Sequence, residues 1–334
     1  MGQSGVGAVA RAGRERPMRV LVTGAAGYIG STTAEHLLDL GARVVALDDL
    51  STGDVANVPE RADFVEGDCG DPALIGALGT LDACVHFAAR IEPSESMRVP
   101  ERYFANNVAG SFRLFEALIN AGCERVVFSS SCAVYGNQTE MPIEEDRPTA
   151  PHSPYGQSKL MVEDGLRWLA ARGRLRSASL RYFNAAGATA RHPERHRPET
   201  HLIPIALEVA GGRRGHLEIF GGDYPTRDGT CVRDYVHVSD LADAHVRALD
   251  ALGTHESLTI NLGTGTGSSN LEVVEAVREV TGRALDARVV DRRPGDPAEA
   301  VAGGSLAHDL LGWTPQRSSL REVVADAWAA LSEP

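Results

Sequence analysis

The 334-residue sequence predicts an α/β protein: a doubly wound parallel sheet followed by a smaller C-terminal α/β domain. Three observations support this prediction. From Met18 onward, short apolar runs of strand length alternate with stretches of helical periodicity. A glycine-rich turn joins the first apolar run to the first helical stretch, and the regular alternation ends after Asn184. We therefore expect a regular N-terminal sheet and a less regular C-terminal part.

The N-terminal elements follow one another in a strand–helix order. Apolar and β-branched residues mark the strands, and the helix after the serine run is expected to begin at Ser153-Pro154, because serine is a favoured cap and proline fits a first helical turn. The predicted strands are Arg19–Thr23, Arg43–Leu47, Asp63–Glu66, Ala83–Ala88, Arg125–Ser129 and Ser177–Tyr182, and the predicted helices include Tyr28–Leu40 and Glu101–Ala121.

Composition and charge narrow the classes of function. The formal net charge of −12 argues against a nucleic-acid partner, since phosphate backbones are bound by basic surfaces. No apolar run approaches the ~18 residues that a membrane-spanning helix needs. The five cysteines form no CxxC pair and are odd in number, which is typical of reduced thiols in a cytoplasmic protein.

The glycine-rich turn predicts a dinucleotide site. Gly24, Gly27 and Gly30 have the spacing GxxGxxG, which allows a tight turn and lets backbone N–H groups approach a pyrophosphate at the start of a helix. Asp48 follows at the end of the second strand, where an acid that binds a ribose is expected. Asp49 comes next, and two carboxylates should repel a 2′-phosphate, so the sequence predicts NAD rather than NADP.

The only lysine in the chain, Lys159, stands four residues after Tyr155. This spacing puts both side chains on one face of a helix, where an ammonium can favour the ionised form of a phenol. Ser131 follows the fifth strand and is expected to reach the same edge of the sheet. We predict that Tyr155 exchanges a proton with a substrate hydroxyl while NAD exchanges a hydride, with Ser131 hydrogen-bonded to the same oxygen.

With these residues, the chain resembles the extended short-chain dehydrogenase/reductase superfamily and, within it, the UDP-glucose 4-epimerases. The resemblance implies a Rossmann-like fold and runs from Met18 almost to the C-terminus. The stretches that carry it are VTGAAGYIG, EGD, HFAA, NNVAG, FSSSCAVYG, SPYGQSK, LRYFNAAGA, HRPETHLIP, IFGGDYPTRDGTCVRDYVHVSDLADAH, NLGTGTG and RRPGD.

The resemblance also implies roles for individual residues. The residues that would bind NAD are Gly24, Gly27, Tyr28, Ile29, Gly30, Asp48, Asp68, Cys69, Phe87, Ala88, Ala89, Asn107, Tyr155, Lys159 and Tyr182. The residues that would hold a UDP-sugar are Asn184, Leu202, Phe220, Arg233, Arg293, Asp296 and Ala300. Guanidinium groups suit a diphosphate on chemical grounds as well, since they bind phosphate oxygens in pairs.

The reaction implied by the resemblance is inversion at C4 of a UDP-hexose. C4 is oxidised, the 4-ketose rotates in the pocket, and the hydride returns to the opposite face. Relatives often pair through the long helix near Glu101–Ala121 and the Tyr155 helix, which implies a homodimer. Residues 1–17 are expected to be a disordered extension, residues 18–184 an NAD-binding domain to which strands near 235–262 return, and residues 185–334 mainly a UDP-sugar-binding domain.

Alternatives remain at the level of substrate and chemistry. A 4,6-dehydratase would need an acidic pair after Ser131, where this chain has Cys132 and Ala133, and a non-catalytic regulator would not need the Tyr155–Lys159 pair. The loop after HFAA departs from the epimerase pattern, with Ile91 where some relatives have lysine. Ala300 is small, so the pocket is hypothesised to accept an N-acetylhexosamine; a pentose or a uronate is also open.

A metal site is not expected. His192, His196 and His201 lie in one polar stretch, but the chemistry above needs no metal and no acid or cysteine evidently completes a set of ligands.

Overall fold

The computed structural model describes residues 16–192, 194, 199–293 and 295–332. Most of the predicted extension, residues 1–15, lies outside the described residues, as does His196. A search of the described part finds no helix that is both long enough and apolar enough to cross a membrane.

The strands agree closely with the predicted ones in the N-terminal half. Several of the observed strands begin or end one or two residues away from the predicted boundary, which is an ordinary difference. The strands are β1 Arg19–Thr23, β2 Arg43–Asp48, β3 Asp63–Glu66, β4 Ala83–His86, β5 Arg125–Ser131, β6 Arg176–Tyr182, β7 Asn184–Ala186, β8 Leu217–Phe220, β9 Val232–Arg233, β10 Tyr235–His237, β11 Ser257–Leu262, β12 Ser268–Ser269, β13 Ala287–Val290 and β14 Glu299–Ala300.

The helices cover both faces of the sheet and build the C-terminal part. They are α1 Tyr28–Asp39, α2 Pro72–Ala77, α3 Pro93–Ser96, α4 Pro100–Tyr103, α5 Ser111–Asn120, α6 Pro154–Ala171, α7 Leu202–Ala210, α8 Val238–Ala251, α9 Asn270–Thr281, α10 Ser305–Leu311 and α11 Leu320–Ser332.

Seven strands form one parallel sheet in the order β11-β6-β5-β4-β1-β2-β3, which confirms the predicted fold class. One apolar core includes side chains of α1 and α8, and a second lies beneath α5 and α6. Strands buried on both faces read as continuous apolar runs, as in β1. The order reverses between β1 and β4, so ligands are expected at the carboxyl ends of these strands.

The C-terminal part has its own apolar core, formed largely by α7, α9 and α11. Of the strands near 235–262, β11 joins the main sheet beside β6, whereas β10 pairs with β7 in a separate two-stranded sheet. Two further small sheets, β8 with β13 and β9 with β12 and β14, carry residues predicted to hold the substrate.

The predicted helix Glu101–Ala121 is interrupted by a π-helical segment. Residues Phe104–Gly110 form a π-helix between α4 and α5. Such segments are rare, they change the phase of the side chains, and they often lie at functional sites. The segment therefore changes which of its residues face the sheet edge.

Candidate active site

The three predicted catalytic residues lie together at the carboxyl edge of the main sheet. Ser131 is the last residue of β5, while Tyr155 and Lys159 lie in the first turns of α6. The predicted start of that helix is confirmed: Ser153 accepts a backbone hydrogen bond of 3.1 Å as the cap, and Pro154 follows it. All three catalytic residues line one cleft of about 810 Å³.

Lys159 is buried beside the tyrosine. Its Nζ donates a hydrogen bond of 2.7 Å to the carbonyl oxygen of Ser129 and lies 4.9 Å from the centre of the Phe128 ring. The same nitrogen lies 5.9 Å from the centre of the Tyr155 ring. The two side chains thus share one face of the helix, as their spacing predicts.

Burial controls the protonation of this pair. It raises the pKa of Tyr155 to about 12, and a hydrogen bond with Ser131 acts in the opposite direction. Burial also lowers the pKa of Lys159 to about 7, and the Glu163 carboxylate acts against that change. Desolvation thus favours the neutral form of each group, and the ionisation of Tyr155 by Lys159 stays a prediction.

The turn between β1 and α1 leaves room for a diphosphate. Gly24 has a φ of +69°, and a Cβ there would lie 2.7 Å from the Ala88 nitrogen. A Cβ at Gly30 would lie 2.1 Å from the Gly24 carbonyl oxygen. No side chain caps α1 at Gly27, which leaves the N–H groups of its first turn available to a phosphate. These residues fit a bound dinucleotide.

Asp48 is fixed at the same edge of the sheet. Its carboxylate accepts hydrogen bonds of 2.9 Å from the N–H groups of Ala26 and Leu50. Burial raises its pKa, while these two bonds lower it. The carboxylate oxygens keep further lone pairs for ribose hydroxyls. Asp49 lines the cleft too. Both carboxylates are therefore near the group that binds at the ribose position.

Most of the predicted cofactor residues line the cleft, but Asn107 does not. Asn107 is 2% exposed, and its side-chain amide is hydrogen-bonded to Ser158 Oγ at 3.0 Å and to the backbone of Arg90. Asn106 lines the cleft instead, because neighbouring residues of a helix point in different directions and the π segment sets their phase. The predicted residues that do line it are Gly24, Gly27, Tyr28, Ile29, Gly30, Asp48, Asp68, Cys69, Phe87, Ala88, Ala89, Tyr155, Lys159 and Tyr182.

Two arginines in the cleft were missed by the sequence analysis. Arg102 and Arg113 line it, and Arg113 Nε donates a hydrogen bond of 3.0 Å to the Gly70 carbonyl oxygen. Their spacing could have identified them, because positions 102, 106 and 113 lie near one face of a long helix. With Arg90, which also lines the cleft, they bring positive charge to a site for an anionic ligand.

The predicted substrate residues extend from this cleft into the C-terminal part. Asn184 lines the cleft, whereas the others lie outside its lining. The Arg293 guanidinium lies 4.3 Å from the centre of the Phe220 ring. The Asp296 N–H donates a hydrogen bond of 3.3 Å to the Arg293 carbonyl oxygen. Leu202 is the first residue of α7.

Arg233 and Ala300 form a second group, closer to the catalytic serine. They are paired across the parallel strands β9 and β14. Burial raises the pKa of Cys132 to about 11, and the charge of Arg233 opposes that rise, which places Arg233 near the residue that follows Ser131. This group therefore connects the C-terminal part with the catalytic edge of the sheet.

His201 lies between two acids that the sequence analysis did not associate with it. Its Nδ1 is 2.8 Å from a Glu199 oxygen and 3.1 Å from a Glu194 oxygen. One ligand atom from each residue lies within 4.8 Å of the others, a grouping that could hold a cation. Burial lowers the pKa of His201, but hydrogen bonds to both carboxylates raise it to about 10, so the imidazolium itself balances their charge.

The chain is similar over most of its length to known nucleotide-sugar enzymes. Residues 20–263 match the NAD dependent epimerase/dehydratase family. A UDP-glucose 4-epimerase of Streptomyces lividans is 47% identical over 315 residues, covering 93% of this chain and 95% of that protein.

Two solved structures are similar in fold at a TM-score of 0.90. The UDP-glucose 4-epimerase of Brucella ovis in complex with NAD is 43% identical and covers 93% of this chain and 98% of its own. The UDP-glucose-4-epimerase of Stenotrophomonas maltophila with bound NAD and formylated UDP-arabinopyranose is 42% identical and covers 94% and 97%.

Proposed function

Since this chain belongs to the NAD dependent epimerase/dehydratase family, we propose that it inverts C4 of a UDP-hexose, interconverting UDP-galactose and UDP-glucose through a 4-keto intermediate. The observation that carries the proposal is the convergence of Ser131, Tyr155 and Lys159 in a cleft whose glycine turn fits a dinucleotide. Relatives of 42–47% identity that are named for this reaction support it.

In the proposed reaction Tyr155 exchanges the proton of the C4 hydroxyl. The Ser131 hydroxyl lies within hydrogen-bonding reach of Tyr155 and holds the same sugar oxygen. Lys159 supplies positive charge beside the ring. NAD bound here would supply the acceptor and donor of a hydride for C4, and its positive ring would favour the ionised phenol. Asp48 and the turn at Gly24 hold the cofactor throughout the cycle.

The proposal is tested by proton NMR of the purified protein with UDP-galactose and no added cofactor. We expect the signals of UDP-glucose to grow to an equilibrium mixture, because NAD is retained through the cycle. Protein that is shown to carry NAD but leaves UDP-galactose unchanged would contradict the proposed substrate.

A different nucleotide sugar is the second candidate, and Ala300 is the residue that favours it. Its side chain is small and 8% exposed, and it packs with Val134, Tyr135, Ile143 and Phe183. One relative was crystallised with a UDP-pentose derivative. A pentose, a uronate or an N-acetylhexosamine would use the same Ser131, Tyr155 and Lys159.

We expect UDP-N-acetylgalactosamine to be converted by the wild-type protein and converted much less by Ala300→Tyr. A phenol at this position would occupy the space that the acetamido group needs, and differences of this kind in a pocket typically change kcat/KM by about 10–200-fold. The ratio of kcat/KM for UDP-N-acetylgalactosamine to that for UDP-galactose measures the effect. A wild-type protein that converts only UDP-galactose would contradict the prediction.

Binding of NAD is expected to be at least about tenfold tighter than binding of NADP. A 2′-phosphate would have to lie near Asp48 and Asp49, which both line the cleft, and the like charges repel. Isothermal titration of protein stripped of nucleotide measures both dissociation constants. Asp48→Asn should narrow the difference between the dissociation constants of NAD and NADP. Tighter binding of NADP by the wild type would contradict the assignment of the ribose site.

We further propose that the protein is a homodimer paired through α5 and α6. Three large apolar side chains are exposed there: Phe112 by 37%, Met161 by 39% and Trp168 by 66%. A Cβ at Gly165 would lie 2.1 Å from the Phe112 ring, so this ring lies against α6 between the other two. Contiguous exposed apolar side chains of this kind mark an interface.

Trp168→Glu is expected to convert the dimer into a monomer, because a charge would be buried in the apolar interface. Light scattering after size exclusion should give twice 35.5 kDa for the wild type and 35.5 kDa for the variant. Val289→Glu is the matched control, since Val289 is 57% exposed on β13, away from this surface. A wild-type monomer, or a dimer that survives Trp168→Glu, would contradict the proposed interface.

Location and domain roles follow the same proposal. All five cysteines lie in the described part and are free thiols, which supports the reducing environment of the cytoplasm. We assign NAD binding mainly to residues 18–184 and UDP-sugar binding mainly to residues 185–334, with β11 as a strand of the main sheet.

A further inference from the structure

Behind the catalytic pair lies a buried carboxylate that the proposed reaction does not use. Glu163 stands four residues after Lys159 on α6, and its side chain is completely buried. A charged side chain that is fully buried is rare unless it has a partner. Its position, one helical turn beyond Lys159, places it on the same face of the helix as Tyr155 and Lys159.

Glu163 is held rigidly by two neighbouring strands. Arg181 of β6 donates to it through two nitrogens, with Nη2 at 2.6 Å from Oε2 and Nε at 2.9 Å from Oε1. Ser130 of β5 donates a hydrogen bond to Oε1 from its hydroxyl. Ser130 lies between Ser129, whose carbonyl oxygen accepts from Lys159, and Ser131. The carboxylate is thus linked to the same strand that orients the catalytic groups.

The far side of Arg181 is anchored as well. Its Nη1 donates a hydrogen bond of 2.8 Å to Tyr135 Oη, which donates one of 2.7 Å to Asn261 Oδ1. Asn261 Nδ2 in turn donates to the Ile143 carbonyl oxygen over 2.8 Å. With its guanidinium engaged on both sides, Arg181 cannot easily turn toward Lys159.

The other titratable groups around Lys159 contribute little charge. His86 of β4 is neutral, since burial and the charge of Lys159 lower its pKa to about 3. Tyr182 of β6 shares a hydrogen bond with Ser129 Oγ, and burial raises its pKa far above neutrality. Burial likewise raises the pKa of Tyr155, so its phenol is neutral. Glu163 is the group whose charge opposes the effect of burial on Lys159.

We propose that Glu163 is a positioning residue that keeps Lys159 protonated beside Tyr155, with Arg181 limiting how strongly it does so. The inference rests on the proposed function, because Glu163 is assigned the electrostatic support of the catalytic pair Tyr155 and Lys159. Glu163 touches neither the cleft nor a reacting atom; it acts through the lysine. A single carboxylate between two buried cations holds both in the charged form.

The sequence offers a direct readout of this proposal. Lys159 is the only lysine in the chain, so protein grown with ¹³C-lysine and without a lysine-containing tag gives the signals of one side chain. The shift of its ε-carbon against pH reports the titration of Lys159 without any substrate. Loss of the Glu163 charge should move the midpoint to lower pH by about one unit or more, as expected for the loss of an opposite charge one helical turn away.

The sign of the shift separates an electrostatic role from a structural one. Glu163→Gln should lower the midpoint, and Arg181→Met should raise it, because Glu163 then acts on Lys159 alone. Glu163→Asp keeps the charge and should leave the midpoint near that of the wild type. Tyr135→Phe removes a contact of Arg181 without changing a charge and should also leave it unchanged.

The double variant Glu163→Gln/Arg181→Met removes both charges of the buried ion pair and is therefore more certain to fold than either single charge deletion. It should show the lowered midpoint, because the charge that opposes the effect of burial on Lys159 is that of Glu163. A midpoint equal to that of the wild type in this variant would overturn the proposal. So would shifts of the same sign in Glu163→Gln and Arg181→Met, which a general disturbance of the fold would produce.

Activity gives a second readout that depends on the proposed function. The pH at which kcat falls on the alkaline side should follow the Lys159 midpoint in each variant, so the profile of Glu163→Gln moves to lower pH. A uniform loss of kcat at every pH would overturn the inference. Wild-type protein that does not convert UDP-galactose would contradict the proposed function, while the NMR titration would still decide the role of Glu163.

Discussion

Tyr155→Phe is expected to lower kcat by about 10²–10⁴-fold, the usual contribution of a positioned acid–base group. The variant loses the hydroxyl that exchanges the C4 proton but keeps the ring beside Lys159. Packing and the dinucleotide cradle should be unaffected, so the variant is expected to retain NAD. Rates of UDP-galactose conversion, together with the nucleotide released on denaturation, measure both parts of the prediction.

Tyr103→Phe is the matched control for the loss of a phenolic hydroxyl. Tyr103 is buried, donates a hydrogen bond to the Glu92 carbonyl oxygen over 2.8 Å and does not line the cleft. It should keep most of the wild-type kcat. A Tyr155→Phe variant that retains more than about a tenth of kcat would remove Tyr155 from the role of acid and base.

Arg181→Met is expected to lower the free energy of unfolding by about 3–5 kcal/mol, the cost of leaving a buried charge without its partner. Glu163 and Arg181 are almost fully buried and joined by a bidentate pair with a shortest distance of 2.6 Å. The double variant Glu163→Gln/Arg181→Met should recover a large part of the loss, because it contains neither charge of the Glu163–Arg181 pair. Urea unfolding of the wild type and both variants measures these differences.

A surface ion pair gives the control for this prediction. Arg288 and Asp286 are also 2.6 Å apart, but their side chains are 59% and 48% exposed. Arg288→Met should leave the free energy of unfolding close to that of the wild type, because solvent screens an exposed ion pair. If Arg288→Met were as costly as Arg181→Met, burial could not be the reason for the effect at Arg181.

The regular part of the fold was predictable because its signals are local. Continuous apolar runs, the glycine turn at Gly24 and the cap at Ser153 each act over a few residues, and β1, α1 and α6 begin where these signals place them. The shortest strands of the C-terminal part carry no such signal. Strands β9, β12 and β14 are two residues long, too short for any periodicity.

The site was predictable in its residue types but less so in its geometry. Spacing placed Tyr155 and Lys159 on one face, whereas the π segment decides whether Asn106 or Asn107 meets the cleft, and no pattern in the sequence marks that segment. The pair of Glu163 with Arg181 joins a helix to a strand 18 positions later in the chain. A carboxylate on the Tyr155–Lys159 face was the one available signal.

In the proposed reaction a hydrogen leaves C4 and returns to C4 within one enzyme-held cycle. Conversion of UDP-galactose that carries deuterium at C4, in ordinary water, measures this transfer. We predict that the UDP-glucose formed keeps the deuterium at C4, because the hydride stays in the cleft while Tyr155 exchanges only the hydroxyl proton. A product that carries hydrogen from the solvent at C4 would contradict this account.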